Sequence, residues 1–290
     1  MRVKDFNLKQ TLECGQCFNF EKLYDAGTDD IRNCAYEYDV IAHGRWLRIR
    51  QEADELIFTN APEEDVKNIW IPWFDLERDY GAVKEAVIKA DPDLSDVVSS
   101  YYGIRILNQE FVETLISFII SQNKNIPHIK QLVRNLSEKY GNHIGRDEVS
   151  GRSYYSFPDL SSLDRISVQD FRELKTGFRA PYLRDAVDKL VSGSVCEEEL
   201  RGMCFQDARK RLMTIKGVGD KVANCVLLFG LGFRNAFPVD VWIKRIMEEL
   251  YFHGETDKRV IEEFACERFG EFGGYAQQNL FIFARNRKCL

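Results

Sequence analysis

Lys221 and Asp240 are the residues of this chain whose setting points most directly to covalent chemistry. The stretch that holds them, residues 211–242, runs RLMTIKGVGDKVANCVLLFG, a short bridge, and then FPVDVW. It reads as an amphipathic helix, a turn with Gly217 and Gly219, a second helix opening at Asp220, and a third led in by Pro238. A Gly-Val-Gly turn leaves backbone N–H groups unshielded at a helix N-terminus, which suits a phosphate oxygen. Lys221 falls in the first turn of the second helix, at the positive end of its dipole, where a cation is disfavoured. That position is poor for stability and useful for chemistry. A positive potential with partial burial raises the free-amine fraction of a lysine, and the free amine is the nucleophile. An unperturbed lysine, with a pKa near 10.4, is a free amine in only about one molecule in a thousand at neutral pH. Recovering that factor takes roughly 4 kcal/mol, within reach of desolvation and the dipole together.

Asp240 follows Pro238 and Val239 and precedes VWIKRIMEEL, so its carboxylate is placed to cap a helix. A capped carboxylate is also fixed and ionised, which suits stabilising positive charge on a sugar as a base departs. Spacing alone leaves both uses open. Cys225 lies one turn after Lys221 on the same face, and by itself reads as a small buried hydrophobe. Gln277 and Phe281 share a face of the last predicted helix, as a rim polar residue beside a core aromatic. Cys14 and Cys17 form a C-x-x-C pair with no second ligand pair and no redox context, and read as incidental. Cys266 and Cys289 are too isolated for a four-cysteine iron–sulfur site.

These residues need a scaffold, and the chain divides into two kinds of pattern. In the first hundred residues, CFNFEKLY, CAYEYDVIA, RWLRIRQ and ELIFTN are short, aromatic and partly alternating, with turns at Asp29-Asp30, His43-Gly44 and Ala53-Asp54. They predict a small antiparallel sheet with one face covered by helix. Pro62 with Glu63 and Glu64 reads as a helix start. From about Leu94, helical spacing dominates. Phe111, Leu115, Phe118 and Ile119 form one apolar stripe, and Ile129, Leu132, Val133 and Leu136 another. Further helices are predicted over 179–191, 205–214, 220–229, 241–252, 258–269 and 274–285, punctuated by Pro158, Gly177 and the 230–238 bridge. The expected fold is mainly α with an N-terminal α+β domain at 1–98, followed by a two-lobed helical body at 99–290. The helical hairpin lies at about 206–230 and the aspartate segment at 238–242.

Composition narrows the setting. The chain has 290 residues, 44% hydrophobic and 30% charged, an ordinary globular balance. No apolar run reaches membrane-spanning length, the start lacks the apolar core of a signal peptide, and scattered cysteines fit a reducing compartment. An intracellular protein, cytoplasmic or nucleoid-associated, is expected. The net charge of −6 argues mildly against nucleic acid, yet residues 201–250 hold nine basic against five acidic side chains, about +4. A local basic surface on an acidic protein is compatible with DNA.

Taken together, the GVGDK turn and PVDVW segment closely resemble the helix-hairpin-helix DNA glycosylases, in the branch that removes 8-oxoguanine. Similarity extends through ECGQCFNF, GIRILNQEFVETLISFIISQNKNI, GFRAPYL and GGYAQQNLFIF, most of the chain beyond its first residues. The resemblance implies the helix-hairpin-helix glycosylase fold, with Lys221 attacking the sugar and Asp240 assisting. It implies that Cys225 and Phe281 pack on opposite faces of a flipped base while Gln277 reads its Watson–Crick edge. The Gly15 carbonyl would accept from N7–H, the hydrogen that distinguishes 8-oxoguanine from guanine. Gly217 and Gly219 would hold phosphate, and Asn123, His128, Phe178, Arg179 and Trp242 would meet the duplex and the base left opposite. Three of these depart from the family's usual residues: His128 replaces an arginine that reads cytosine, Phe178 a tyrosine wedge, and Trp242 a histidine.

The resulting expectation is a bifunctional 8-oxoguanine glycosylase and AP lyase, monomeric, acting on double-stranded DNA, with no cofactor and no metal. Alternatives at this point are a helix-hairpin-helix glycosylase for another damaged base, or a non-catalytic DNA-binding module. The absent cysteine cluster counts against an oxidised-pyrimidine enzyme of the cluster type. Lys221 counts against a purely hydrolytic one, and Lys221 with Asp240 against the module.

Overall fold

The computed structural model describes residues 1–25 and 35–287; the expected turn at Asp29-Asp30 and the isolated Cys289 lie outside them. The N-terminal part is a four-stranded antiparallel meander in the order β1 (Phe20–Asp25), β2 (Ala35–Ala42), β3 (Arg45–Glu52), β4 (Glu55–Phe58). His43 and Gly44 both take positive φ (50° and 66°), the tight hairpin geometry that pairs Ala42 with Arg45. One face of the sheet buries Tyr36, Tyr38, Leu47 and Ile49. Against it pack the short helix Leu8–Glu13 and the aromatic segment containing Trp70, Trp73 and Phe74. That is the helix-covered sheet the alternation predicts.

The helical body forms around two long apolar helices, Phe111–Ser121 and Ile126–Tyr140. Their stripes lie where the spacing places them, with Leu115, Ile119, Leu132 and Val133 all buried. The helices Asp220–Phe229 and Lys258–Phe269 have the predicted limits. The one predicted over 241–252 is regular only through Met247, then widens into a π-type turn at Glu248–Phe252.

Two differences from the sequence expectation concern how the parts join. Tyr80, Val83, Val87, Leu94, Val97 and Val98 belong to the helical core while Leu107 belongs to the sheet core, so the two cores interleave along the chain around residue 98. The helical body also carries a hairpin, β5 (His143–Arg146) with β6 (Ser153–Tyr155), which is not expected where helical spacing dominates. It clamps the N-terminal sheet: Tyr154 stacks on Trp46 at 4.1 Å between ring centres and donates to Asp39. Asp39, buried, also receives Arg48 Nε at 3.0 Å and Trp46 Nε1 at 2.9 Å. A buried carboxylate needs such company, and here it fixes the sheet against the helical body. No helix among the described residues is long and apolar enough to cross a membrane.

Candidate active site

The Gly217 turn sits between the helices Phe205–Leu212 and Asp220–Phe229. Gly217 has φ +76°, and a Cβ there would lie 2.2 Å from the ring of Tyr182, so backbone strain and contact both demand glycine. Gly219 caps the second helix without any side-chain hydrogen bond and has open space beside it. The first amides of that helix are therefore available to an anion.

Beyond the turn opens a cleft of about 850 Å³ whose lining includes Lys221, Asp240, Gly15 and Phe281. Residues more than two hundred positions apart in sequence meet here. Lys221 Nζ stands 4.9 Å from the centre of the Phe118 ring and has no carboxylate within 4 Å among the described residues. Its neighbours are an aromatic face and the Cys225 thiol rather than an acid. Cys225 is 3% exposed; burial pushes its thiol up to about 11, with the Lys221 amine beside it pulling the other way. A neutral, inert thiol suits packing against a base.

Asp240 caps the helix Val241–Met247, as its sequence setting allows. Trp242 N and Ile243 N both donate to Oδ1 at 2.9 Å. Oδ2 makes no hydrogen bond among the described residues, so one carboxylate oxygen holds the helix and the other stays free in a side chain that lines the cleft. Gly15 has φ +83°, and a Cβ on it would lie 3.2 Å from Phe281 Cε1. The backbone thus approaches the phenylalanine closely at one wall. Gln277 is 4% exposed, donates to the Pro238 carbonyl at 3.1 Å, and leaves its Oε1 buried without a partner. An orphaned buried acceptor next to the aspartate segment is costly unless a ligand satisfies it.

Residues 1–115 match the family described as 8-oxoguanine DNA glycosylase, N-terminal domain, and residues 116–271 match the HhH-GPD superfamily of base excision DNA repair proteins. The chain belongs to the HhH-GPD superfamily, in its 8-oxoguanine DNA glycosylase branch. It is 30% identical to a probable N-glycosylase/DNA lyase of Methanothermobacter thermautotrophicus, over 84% of this chain and 81% of that protein. Among solved structures it resembles MBOgg1 in complex with a low-affinity DNA ligand, at 41% identity and TM-score 0.90, covering 99% of this chain and 95% of that one. A second likeness is the Clostridium acetobutylicum 8-oxoguanine glycosylase/lyase in complex with double-stranded DNA containing cytosine opposite 8-oxoG. There the identity is 37% and the TM-score 0.89, over 98% of this chain and 93% of that one.

In this glycosylase the residues expected to meet the duplex are split. Asn123, exposed at φ +52°, tips the turn between the helices Phe111–Ser121 and Ile126–Tyr140, a left-handed position that asparagine tolerates. Phe178 is 53% exposed and lines the cleft, as does Trp242, while His128 is exposed near its rim. Arg179 departs from expectation. It is 3% exposed, its guanidinium donates to the carbonyls of Gln122 and Thr176, and it lies 4.2 Å from the Phe178 ring centre. In the fold, Arg179 braces the Asn123 turn through the Gln122 carbonyl and lies against Phe178. The expectation that it meets the duplex comes from the family resemblance, whereas its burial here follows from contacts with the distant Gln122 carbonyl.

Sequence reasoning passed over several lining residues. Phe118 reads only as part of an apolar stripe, although its ring carries Lys221. Lys124, Lys258 and Arg259 also line the cleft, and none has a carboxylate within 4 Å among the described residues. Acids line the cleft as well, Asp220 and Glu262 beside Asp240. A second hollow of about 610 Å³ lies at the other end of the Lys221 helix, beside Gly230 and Glu113, and shares no residue with the cleft.

Proposed function

We propose that this chain excises 8-oxoguanine through a covalent intermediate on Lys221 and then cuts the strand by β-elimination. The observation that carries the reading is the meeting, in one cleft, of a lysine without an acidic partner, an aspartate with one free oxygen, and the close Gly15–Phe281 wall. Phosphate would dock on the open amides after Gly219 while the damaged nucleotide turns out of the stack. The Gly15 carbonyl would accept the N7–H of the lesion. Cys225 and Phe281 would hold the two faces of the base, and Gln277 Oε1 would find its partner on the base edge.

Chemistry then follows from charge. The Lys221 Nζ forms a bond to C1′, and the bond from C1′ to the base breaks with its electron pair leaving on the base, which takes up a proton. Positive charge on the sugar is greatest in that step, and the free oxygen of Asp240 is positioned to stabilise it. Loss of the amine proton and ring opening give a Schiff base. Removal of a C2′ proton expels the 3′ phosphate oxygen, which severs the strand. Water as the nucleophile would end the sequence at base release. Borohydride trapping on a duplex containing 8-oxoguanine tests the reading: a covalent adduct is expected, and excision with no trapped adduct would overturn it.

The enzyme is read as an intracellular monomer needing no metal. The thiols of Cys14 and Cys17 are buried and turn to the Thr11 and Leu12 carbonyls, and no three His, Cys, Asp or Glu among the described residues converge. Excision is expected to survive EDTA and mild oxidants. Stoichiometric zinc or iron in active purified protein contradicts this.

Selectivity for the base opposite the lesion is expected to be broad. An arginine can hold the O2 and N3 acceptors of an extrahelical cytosine with two parallel N–H groups, whereas a histidine ring cannot. Losing such a contact removes about 1–3 kcal/mol of discrimination, roughly a five- to hundredfold preference. Single-turnover excision opposite A, G and T is therefore expected to lie within about a hundredfold of that opposite C. A wild-type enzyme several hundredfold selective for cytosine would sink the idea.

A further inference from the structure

The turn that presents Asn123 carries Lys124, near the Arg179 guanidinium and with no acid to balance it among the described residues. Lys124 Nζ lies 3.3 Å from both ring nitrogens of His128, and the buried Arg179 guanidinium reaches the carbonyl of Gln122, two residues before Lys124. Burial, with the Arg179 charge adding to it, holds the Lys124 amine below its usual range. Neither Lys124 nor Arg179 has a carboxylate within 4 Å among the described residues. The neighbouring helix Ala180–Val191 by contrast neutralises its own cations, pairing Arg184 with Asp164 and Asp188, and Lys189 with Asp185. Lys124 spends one donor on the His128 ring and has no acid beside it among the described residues, so its remaining donors are left for a ligand. The arrangement does serve a ligand that brings acceptors, and Lys124 lines the cleft beside Phe178.

Resting on the reading of this chain as a lesion-excising glycosylase, we infer that Lys124, and not His128, supplies the hydrogen-bond donor to the undamaged strand. His128 is its backrest. An ammonium with three rotatable donors accepts any partner with a lone pair: O2 or N3 of a pyrimidine, N3 of a purine, or a phosphate oxygen of that strand. Breadth toward the opposite base is then a property of the donor present, not merely of a missing arginine. A further consequence concerns replacement. A guanidinium installed at position 128 would face the Lys124 ammonium, so His128→Arg by itself should not create a preference for cytosine.

The test is single-turnover excision of 8-oxoguanine opposite each of the four bases, with wild type, Lys124→Gln, His128→Gln, His128→Arg and the double variant Lys124→Gln/His128→Arg. Lys124→Gln is expected to lose about tenfold on all four duplexes, the scale of one hydrogen bond to a charged group. His128→Gln is expected to lose less than Lys124→Gln on every duplex, because the glutamine amide oxygen can still receive the Lys124 amine. His128→Arg should remain broad, while the double variant gains roughly five- to hundredfold for cytosine. Binding measured against salt separates the two acceptors. A lost phosphate contact lowers the slope of log K on log salt by about one, whereas a lost base contact leaves it unchanged. Lys124→Gln within twofold of wild type on every duplex overturns the inference, as does a cytosine preference in His128→Arg alone. Wild type unable to excise the lesion overturns instead the functional reading beneath it.

Discussion

Lys221→Gln is expected to abolish strand cleavage and borohydride trapping while leaving binding to lesion DNA largely intact. Glutamine is as good a helix former as lysine, so the helix Asp220–Phe229 should persist. The open amides after Gly219 and the Gly217–Tyr182 contact do not depend on residue 221, so the phosphate site survives. The contact with the Phe118 ring goes, and with it about 0.5–1 kcal/mol at most for a partly exposed pair. What cannot be replaced is the amine that forms the bond to C1′. Trapping assays beside an independent measure of binding check this. Robust base release by the variant would show that water attacks and lysine does not.

Asp240→Asn is expected to slow base excision by about three powers of ten while the protein keeps its fold, the scale of removing one preorganised electrostatic contact or more. The structure separates the two uses of this side chain. Both amide donors, Trp242 N and Ile243 N, go to Oδ1, and asparagine keeps an oxygen to receive them. Asparagine caps a helix as well as aspartate does. Only the negative charge and the free oxygen are lost. Single-turnover excision and a melting curve on the same preparation distinguish the outcomes. A variant that melts at modest temperature yet turns over normally in the cold would reduce Asp240 to a cap.

Local grammar in the sequence made much of this protein legible. The Gly-Val-Gly turn, the helix from Asp220 and the cap at Asp240 depend on residues within a few positions of one another, and each has the predicted form. The apolar stripes of the two long helices and the helix-covered sheet follow from periodicity for the same reason. Short-range rules fail where a residue's role is set by something distant. The hairpin of β5 and β6 is only seven residues of weak pattern, and it is held by Trp46 and Asp39, with Asp39 lying 115 positions before Tyr154.

By itself, then, the sequence determined which residues can react and what local element presents each of them: Lys221 at the start of one helix, Asp240 at the cap of the next, and glycine at the tight turn before Lys221. Only the tertiary structure decided what surrounds them. It put the Phe118 ring under the amine, brought Gly15 against Phe281 from opposite ends of the chain, and left Gln277 Oε1 buried without a partner. It turned Arg179 inward to brace a turn and set Lys124 into the cleft wall. The physical reason is range. Helix propensity, capping and turn geometry act over about four residues, whereas burial, charge balance and hydrogen-bond satisfaction depend on which distant segments the core brings together.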